Sequence, residues 1–441
     1  MTTQPSCPGV YVVEGGMPSV SVNVAATAVP VFLTDCSENL NTDIPEDVCI
    51  RLDNWLDYCV LKGLYPRLGE VAVKIDSEPL SGGGYSYTYE VILQCHPEID
   101  LALRQYFENG GGPCYILRIG TSDGVISAIK RVRDITLLVY LHYTIDSDRR
   151  DTYYSWLNSL LGAGNNYFLI ADADAQGKPP DTKSEYTSVY YPGLIESAAS
   201  ERPPDDLIEV IGYIDDSGRS VTGFSDLKPV NPDLYTEISA TIDSRLARLK
   251  VSVTPAAAMA GIYCATDRTR GVWNAPANAP ISGALDVAVM VSDADQGTMN
   301  DDGINVIRKL PGRGIVPWGC RTLAGTSEAT DTSWRYIQVR RLFNSAEADI
   351  TKAMQTMMFE PNYQPTWEKT RHAIENYLYS LWRQGALAGG KPEDAYFVQI
   401  GKDVTMSDED ISAGKMIAKV GMAAARPAEF IILEFTQSMS M

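Results

Sequence analysis

Two stretches, Ile135-Thr136-Leu137-Leu138-Val139-Tyr140-Leu141 and Tyr167-Phe168-Leu169-Ile170-Ala171, decide the fold. Each is a short run of strand-forming residues. Val125 to Val132 precedes the first and Thr152 to Leu161 separates the two, both with helical character. Helix and strand alternating at this size argue for a partly parallel sheet with flanking helices.

Upstream, Cys114 to Ile119 reads as another strand, after a helix from Ile99 to Phe107 that ends at Asn109-Gly110-Gly111-Gly112. Tyr85 to Leu93 alternates like a hairpin strand behind Ser81-Gly82-Gly83-Gly84. Asp47 to Leu61 reads as a helix, and Val20 to Phe32 as an extended stretch. Downstream, Gln176 to Pro232 is rich in Pro, Asp, Ser and Gly and reads as a surface insertion, closed by a helix from Leu234 to Leu249. A further region begins near Asp286. Its expected strands are Val287 to Val291, Trp334 to Arg340, Tyr396 to Ile400 and the terminal run, and its expected helices Ala346 to Met358 and Thr366 to Leu387. The fold class is therefore α/β followed by α+β.

Both ends of the chain are strand-like. Pro8-Gly9-Val10-Tyr11-Val12-Val13-Glu14 opens it and Phe430-Ile431-Ile432-Leu433-Glu434-Phe435 stands near its close. Unpaired strand edges beside apolar side chains template pairing with other chains. Burying about five large side chains gains roughly 8 to 15 kcal/mol, while ordering about ten residues costs on the order of 10 to 20 kcal/mol. Such an arm orders only on a sheet that is already formed. The sheet belongs either to a neighbouring copy or to the chain itself.

The 441 residues carry 56 acidic against 37 basic side chains, a net charge of -19. Phosphate binding needs a concentrated basic face, so nucleic acid is not an expected partner. No run approaches the ~20 apolar residues of a membrane span, so membrane insertion is not expected. Met1-Thr2-Thr3-Gln4-Pro5-Ser6 lacks the features of a secretion signal, which places synthesis in the cytoplasm. The eight cysteines, at 7, 36, 49, 59, 95, 114, 264 and 320, lack the close spacing of a zinc site or disulfide framework and read as reduced thiols.

Gly120-Thr121-Ser122-Asp123-Gly124 fits the G-x-S-x-G elbow between a strand and a helix. The alternative function from another class is thus an α/β-hydrolase-like esterase using Ser122. Its base would have to be His142, at a strand end, or His372, within a helix; neither has the usual late-loop setting. The better reading is a turn with Ser122 or Asp123 as helix N-cap. Asp172-Ala173-Asp174-Ala175-Gln176-Gly177 and Asp293-Ala294-Asp295-Gln296-Gly297 begin like calcium loops, but Lys183 and Ile304 stand where a bidentate glutamate belongs. Pro311-Gly312-Arg313-Gly314 lacks the Gly-Lys-Ser/Thr of a phosphate loop. No catalytic residue, cofactor or metal is assigned.

Several stretches in order resemble the contractile tail sheath family of phages and related injection systems. They are Pro8-Gly9-Val10-Tyr11-Val12, the run Tyr106 to Tyr115 containing Asn109-Gly110-Gly111-Gly112-Pro113-Cys114, Ala260 to Asn278, and Gly303-Ile304-Asn305-Val306-Ile307-Arg308. Gly312 to Ile315, Trp334 to Ile337, Val339 to Phe343, Leu381 to Leu387 and Arg426-Pro427-Ala428-Glu429-Phe430 complete the set. Tyr65 to Leu93 and Gln176 to Pro232 match least.

The resemblance implies a multi-domain sheath subunit: an N-terminal strand arm (1–24), an outer α/β domain (25–285) with its insertion at 176–232, an inner α+β domain (286–424) and a C-terminal strand arm (425–441). Val10, Tyr11, Val12 and Val13 at one end, and Phe430, Ile431, Ile432, Leu433 and Phe435 at the other, are the residues expected to add to neighbours' sheets. Such contacts propagate as stacked rings or a helical homo-polymer. In the helix Thr366 to Leu387, Trp367, Ile374, Leu378 and Leu381 share one face by their spacing. Lys369, His372, Asn376, Tyr379 and Arg383 lie opposite, and the resemblance implies that this stripe contacts an inner tube. The implied particle is assembled in the bacterial cytoplasm, driven by stored strain without nucleotide, and released by lysis. Its other implied partners are baseplate and terminal cap proteins and sister sheath proteins. A baseplate or cap component is the nearer alternative.

Overall fold

The computed structural model describes residues 21–35, 45–62, 70–81, 84–94, 98–141, 147–198, 202–215 and 217–429. The chain forms two compact units, a larger one of residues 26–344 with 426–441 and a smaller one of 1–25 with 345–425.

The larger unit begins with β1 (Pro30–Thr34), β2 (Cys49–Leu52), α1 (Trp55–Lys62), β3 (Glu70–Pro79), β4 (Tyr85–Gln94) and α2 (Glu98–Glu108). There follow β5 (Cys114–Arg118), α3 (Ser122–Arg131), β6 (Leu137–Leu141), α4 (Ser147–Asn158) and β7 (Phe168–Asp172). Next come β8 (Thr187–Tyr191), β9 (Leu194–Ser197), β10 (Glu209–Ile211), α5 (Phe224–Val230), α6 (Pro232–Ala247), β11 (Lys250–Val253) and α7 (Ala256–Arg270). The last are β12 (Asp286–Val287), α8 (Asp293–Asp301), β13 (Ile304–Leu310) and β14 (Gly314–Pro317); α9 (Ile337–Gln355) starts in this unit and ends in the smaller one.

Eight strands make one sheet in the order β14-β13-β8-β7-β6-β1-β5-β2. The six central strands are parallel, and the edge strands β14 and β2 are antiparallel to their neighbours. Side chains alternate between the two faces of a strand, and they sort accordingly. Phe32, Leu137, Val139, Phe168, Ile170 and Tyr190 join one core cluster, which includes the buried start of α7. Val31, Leu33, Leu138, Tyr140, Leu169 and Val189 join another, with Val125 and Ile129 of α3 and Leu157 of α4. Burial on both faces is why these strands read as continuous apolar runs.

Several expectations are corrected. β8 lies inside the stretch read as a surface insertion, yet it is a wholly buried strand between β7 and β13. Its polar residues are satisfied internally: Ser188 Oγ accepts from the Tyr263 hydroxyl at 3.0 Å, and Tyr263 also bonds Tyr190. The rest of that stretch meets the other poorly matching region, β10 pairing with β3 of the long β3–β4 hairpin over a core with Phe224, Ile238 and Ile242. Asp47 to Leu61 is strand β2 followed by helix α1. Trp334 to Arg340 is not a strand, since α9 starts at Ile337. The aromatic content there serves packing, with the Arg340 guanidinium stacked 3.9 Å from the Trp334 ring centroid. The compact units divide at Ser345, and β13 pairs into the large sheet.

The smaller unit holds α10 (Gln364–Arg383), α11 (Pro392–Ala395), β15 (Tyr396–Gln399), α12 (Asp408–Ser412) and β16 (Lys419–Met422).

Candidate assembly surfaces

The smaller unit carries a sheet of only two strands. β15 and β16 pair antiparallel over four residues each, Tyr396↔Met422 to Gln399↔Lys419. Beyond the ladder, residues 386–388 lie against 423–425, with Ala388 N–H to Ala423 O at 2.7 Å and Ala425 N–H to Ala386 O at 3.0 Å. No third named strand joins β15 or β16 among the described residues. A two-stranded ladder is marginal in water unless something covers or extends it. Helix α10 packs against β15, and Val398 is buried while Phe397 remains 47% exposed.

The faces of α10 follow its helical period. Thr366, Trp367, Thr370, Ala373, Ile374, Tyr377, Leu378 and Leu381 are buried, which includes the four residues expected on the inner face. His372, Asn376, Tyr379 and Arg383 are exposed and Lys369 is half-buried. The expected stripe is therefore one surface. It is less basic than the sequence suggested, because His372 Nδ1 lies 3.2 Å from Glu375 and Arg371 pairs with Glu368.

The arm residues Val10 to Val13 and Phe430 to Phe435 lie outside the described residues; the roots of both arms do not. Near the N-terminal root, Ala25 donates its N–H to Asp349 Oδ1 at 3.0 Å, while the buried Tyr377 hydroxyl donates to Asp349 Oδ2 at 2.9 Å. Burial holds the Asp349 carboxyl above its usual range. At the C-terminal root, Glu429 is gripped by Arg321. Neither anchoring role was found in the sequence: Asp349 carries no pattern there, and Glu429 stands in a family-like stretch that does not reveal its partner Arg321.

The elbow-like Gly120 to Gly124 is a helix start held by a neighbouring loop. Thr121, not Ser122 or Asp123, is the N-cap: its side chain accepts from the Gly124 N–H at 3.1 Å. The Asp47 carboxylate accepts from the N–H groups of Gly120 and Thr121 and from the Thr121 hydroxyl. Asp47 thus occupies the concavity in front of α3, and a Cβ at Gly124 would collide with it. His142 lies outside the described residues, and His372 belongs to the smaller unit.

The first calcium-like stretch is the end of β7 and a turn: Asp172 is buried and accepts from the Ala256 N–H, and Asp174 accepts from the N–H groups of Gln176 and Lys178. The second is the start of helix α8, where Asp293 pairs with Arg308 at 2.6 Å. Among the described residues no cluster of three or more His, Cys, Asp or Glu could hold a metal. The five described cysteines are free thiols, and burial pushes Cys49 and Cys320 up to about 12, far from the range of a reactive thiolate. No described helix is long and apolar enough to cross a membrane.

Comparison with known proteins gives the family. Residues 196–323 match the phage tail sheath protein central domain and 329–438 the phage tail sheath C-terminal domain. The sheath of the anti-feeding prophage, solved as a contracted helical sheath, is 38% identical over 98% of this chain and 100% of that one, with a TM-score of 0.71. The sheath complex of an extracellular contractile injection system, PVC, also contracted, is 36% identical over 99% of both chains, with a TM-score of 0.69. The tail sheath protein of Vibrio phage KVP40 is 27% identical over 181 residues, 40% of this chain. The matched region spans about a quarter (25%) of that phage protein's length. The chain belongs to the contractile tail sheath family.

Proposed function

We propose that the chain is the structural subunit of a contractile sheath, polymerising around an inner tube and shortening to drive that tube through a target envelope. The observation that carries this is likeness at 38% identity along essentially the whole chain to a sheath solved as a contracted helix. The small β15–β16 sheet supports the mode of assembly. Two four-residue strands gain little alone, and a strand added from a neighbour supplies the pairing they lack. The terminal arms are the donors, so each subunit both gives and receives strands, and such contacts propagate without closing.

The exposed face of α10 is the proposed tube contact, and no chemical step is assigned to the chain. Baseplate and cap proteins are the proposed partners at the polymer ends. Assembly takes place in the bacterial cytoplasm, and the particle is a phage tail or tail-like device. Electron microscopy of the purified protein tests the reading. Hollow cylinders or stacked rings formed without nucleotide are expected; small closed particles alone, or a strict requirement for ATP, would overturn it.

A further inference from the structure

The Glu429 carboxylate is held at the last described position before the strand-like Phe430 to Phe435. Arg321 donates to it twice, Nε to Oε1 at 2.7 Å and Nη2 to Oε2 at 2.9 Å, a bidentate pair. The Tyr336 hydroxyl donates to Oε2 at 3.1 Å and Asn300 Nδ2 to Oε1 at 3.4 Å. Arg321 is itself fixed, donating through Nη1 to the carbonyls of Asn300 and Gly325 at 2.8 and 3.2 Å. Its side chain is only 5% exposed and that of Glu429 only 15%. An ion pair so enclosed is little screened by salt, and its fork geometry fixes direction as well as position.

This grip stands at a particular point of the chain path. The polypeptide leaves the larger unit at Ser345, builds the smaller unit, and returns to the larger one at Arg426. Three residues later Glu429 is seized. The root of the C-terminal arm thus belongs to the larger unit, whereas β15 and β16 belong to the smaller.

We propose that Glu429, clamped by Arg321, Tyr336 and Asn300, is the positioning residue that fixes where and in which direction the C-terminal strand leaves the subunit, and so controls its addition to a second copy of this chain. The inference rests on the sheath reading above. Without the clamp the arm sweeps a larger volume, and the cost of ordering it on the neighbour rises. The register of a short strand is also no longer preset. In this proposal Glu429 acts through the arm, its four-donor grip lying within its own subunit.

Full-length Glu429→Gln tests this. The amide keeps the size but sets an NH₂ against the guanidinium donors, and loss of one charged hydrogen-bonded contact of this kind corresponds to roughly a tenfold or greater rise in the concentration needed for assembly. Sedimentation and electron microscopy should show fewer and shorter sheaths, while the unassembled subunit keeps a cooperative melting transition, at a lower temperature because the enclosed Arg321 loses its carboxylate. Added in small amounts to wild-type protein, the variant should also shorten wild-type sheaths, because it still accepts a strand but donates poorly. A merely misfolded subunit would not do this. Wild-type sheath lengths from Glu429→Gln would overturn the inference, as would loss of the subunit's own melting transition. Wild-type protein that forms no sheath at all would remove the reading beneath it.

Discussion

The phenyl ring of Phe397 lies across Gly421, its directly opposite partner in the β15–β16 ladder, in the space that a Cβ at residue 421 would fill. An aromatic ring over a cross-strand glycine shields backbone and pins register. Gly421→Ala must displace the ring, at a cost of about 1–3 kcal/mol. Because the sheet is only two strands of four residues, the subunit's melting should change little. Amide exchange across residues 396–399 and 419–422 should quicken and sheath yield should fall. Unchanged exchange there would show that the ring moves aside freely.

Arg341 and Asp267 form an enclosed ion pair, Nη2 to Oδ2 at 2.6 Å, with side chains 3% and 6% exposed. The Arg341 guanidinium also lies 4.6 Å from the Tyr263 ring centroid and donates to the Thr27 carbonyl. Removing one partner of such a pair strands the other charge, at a cost of about 3–5 kcal/mol. Arg341→Met should lower the unfolding free energy of the larger unit by that order, seen as a lower denaturant midpoint. The double variant Arg341→Met with Asp267→Leu should recover much of the loss, which a double-mutant cycle by chemical denaturation would measure.

Stability should fall as pH rises toward mild alkalinity. Burial pushes the Asp172 carboxyl from an ordinary 3.8 up to about 8, although the Ala256 N–H partly opposes this. Burial likewise raises Glu196 to about 7, tempered by Arg104. A folded value above the unfolded one means the folded state holds the proton more tightly. The associated stability is complete below about pH 4 and is lost as pH rises through 7 and 8. Denaturant midpoints at pH 5 should therefore exceed those at pH 8. Asp172→Asn should narrow the gap; an unchanged gap would exclude Asp172 as the titrating group.

The central sheet was legible because its strands are buried on both faces and so carry unbroken apolar runs, as β6 and β7 do. β8 was not, because its Thr187 and Ser188 find partners only in the folded core and its flanks are rich in Pro and Asp. Helix α7 escaped for the opposite reason: Ala256 to Cys264 are buried almost all round, so no amphipathic period appears. Its Gly261 stands where a Cβ would strike the Tyr106 carbonyl, a close helix approach visible only in three dimensions. The α10 faces were readable from period alone. The anchors Asp349 and Glu429 were not, since what marks them is the set of donors that converge from distant parts of the chain.

The exposed face of α10 makes the last prediction. Lys369 and Arg383 lie on it with His372, Asn376 and Tyr379 between, and Glu368 and Glu375 temper its middle. On a chain of net charge -19 even this mixed stripe stands out. Exposed ion pairs are worth only about 0 to 1 kcal/mol each. Repeated along a polymer, contacts of that size would hold a tube in register, yet each would be weak enough to yield when all the subunits move together. Reversing Lys369 and Arg383 to Glu should lower the yield of tube-filled sheaths, most at low ionic strength, where screening is least. Empty sheaths should form as before, because the face is separate from the β15–β16 ladder. Sedimentation of sheath with tube across a salt series would read this out. Equal co-assembly at low salt would remove this face from the tube contact, and loss of empty sheaths as well would assign it to contacts between subunits instead.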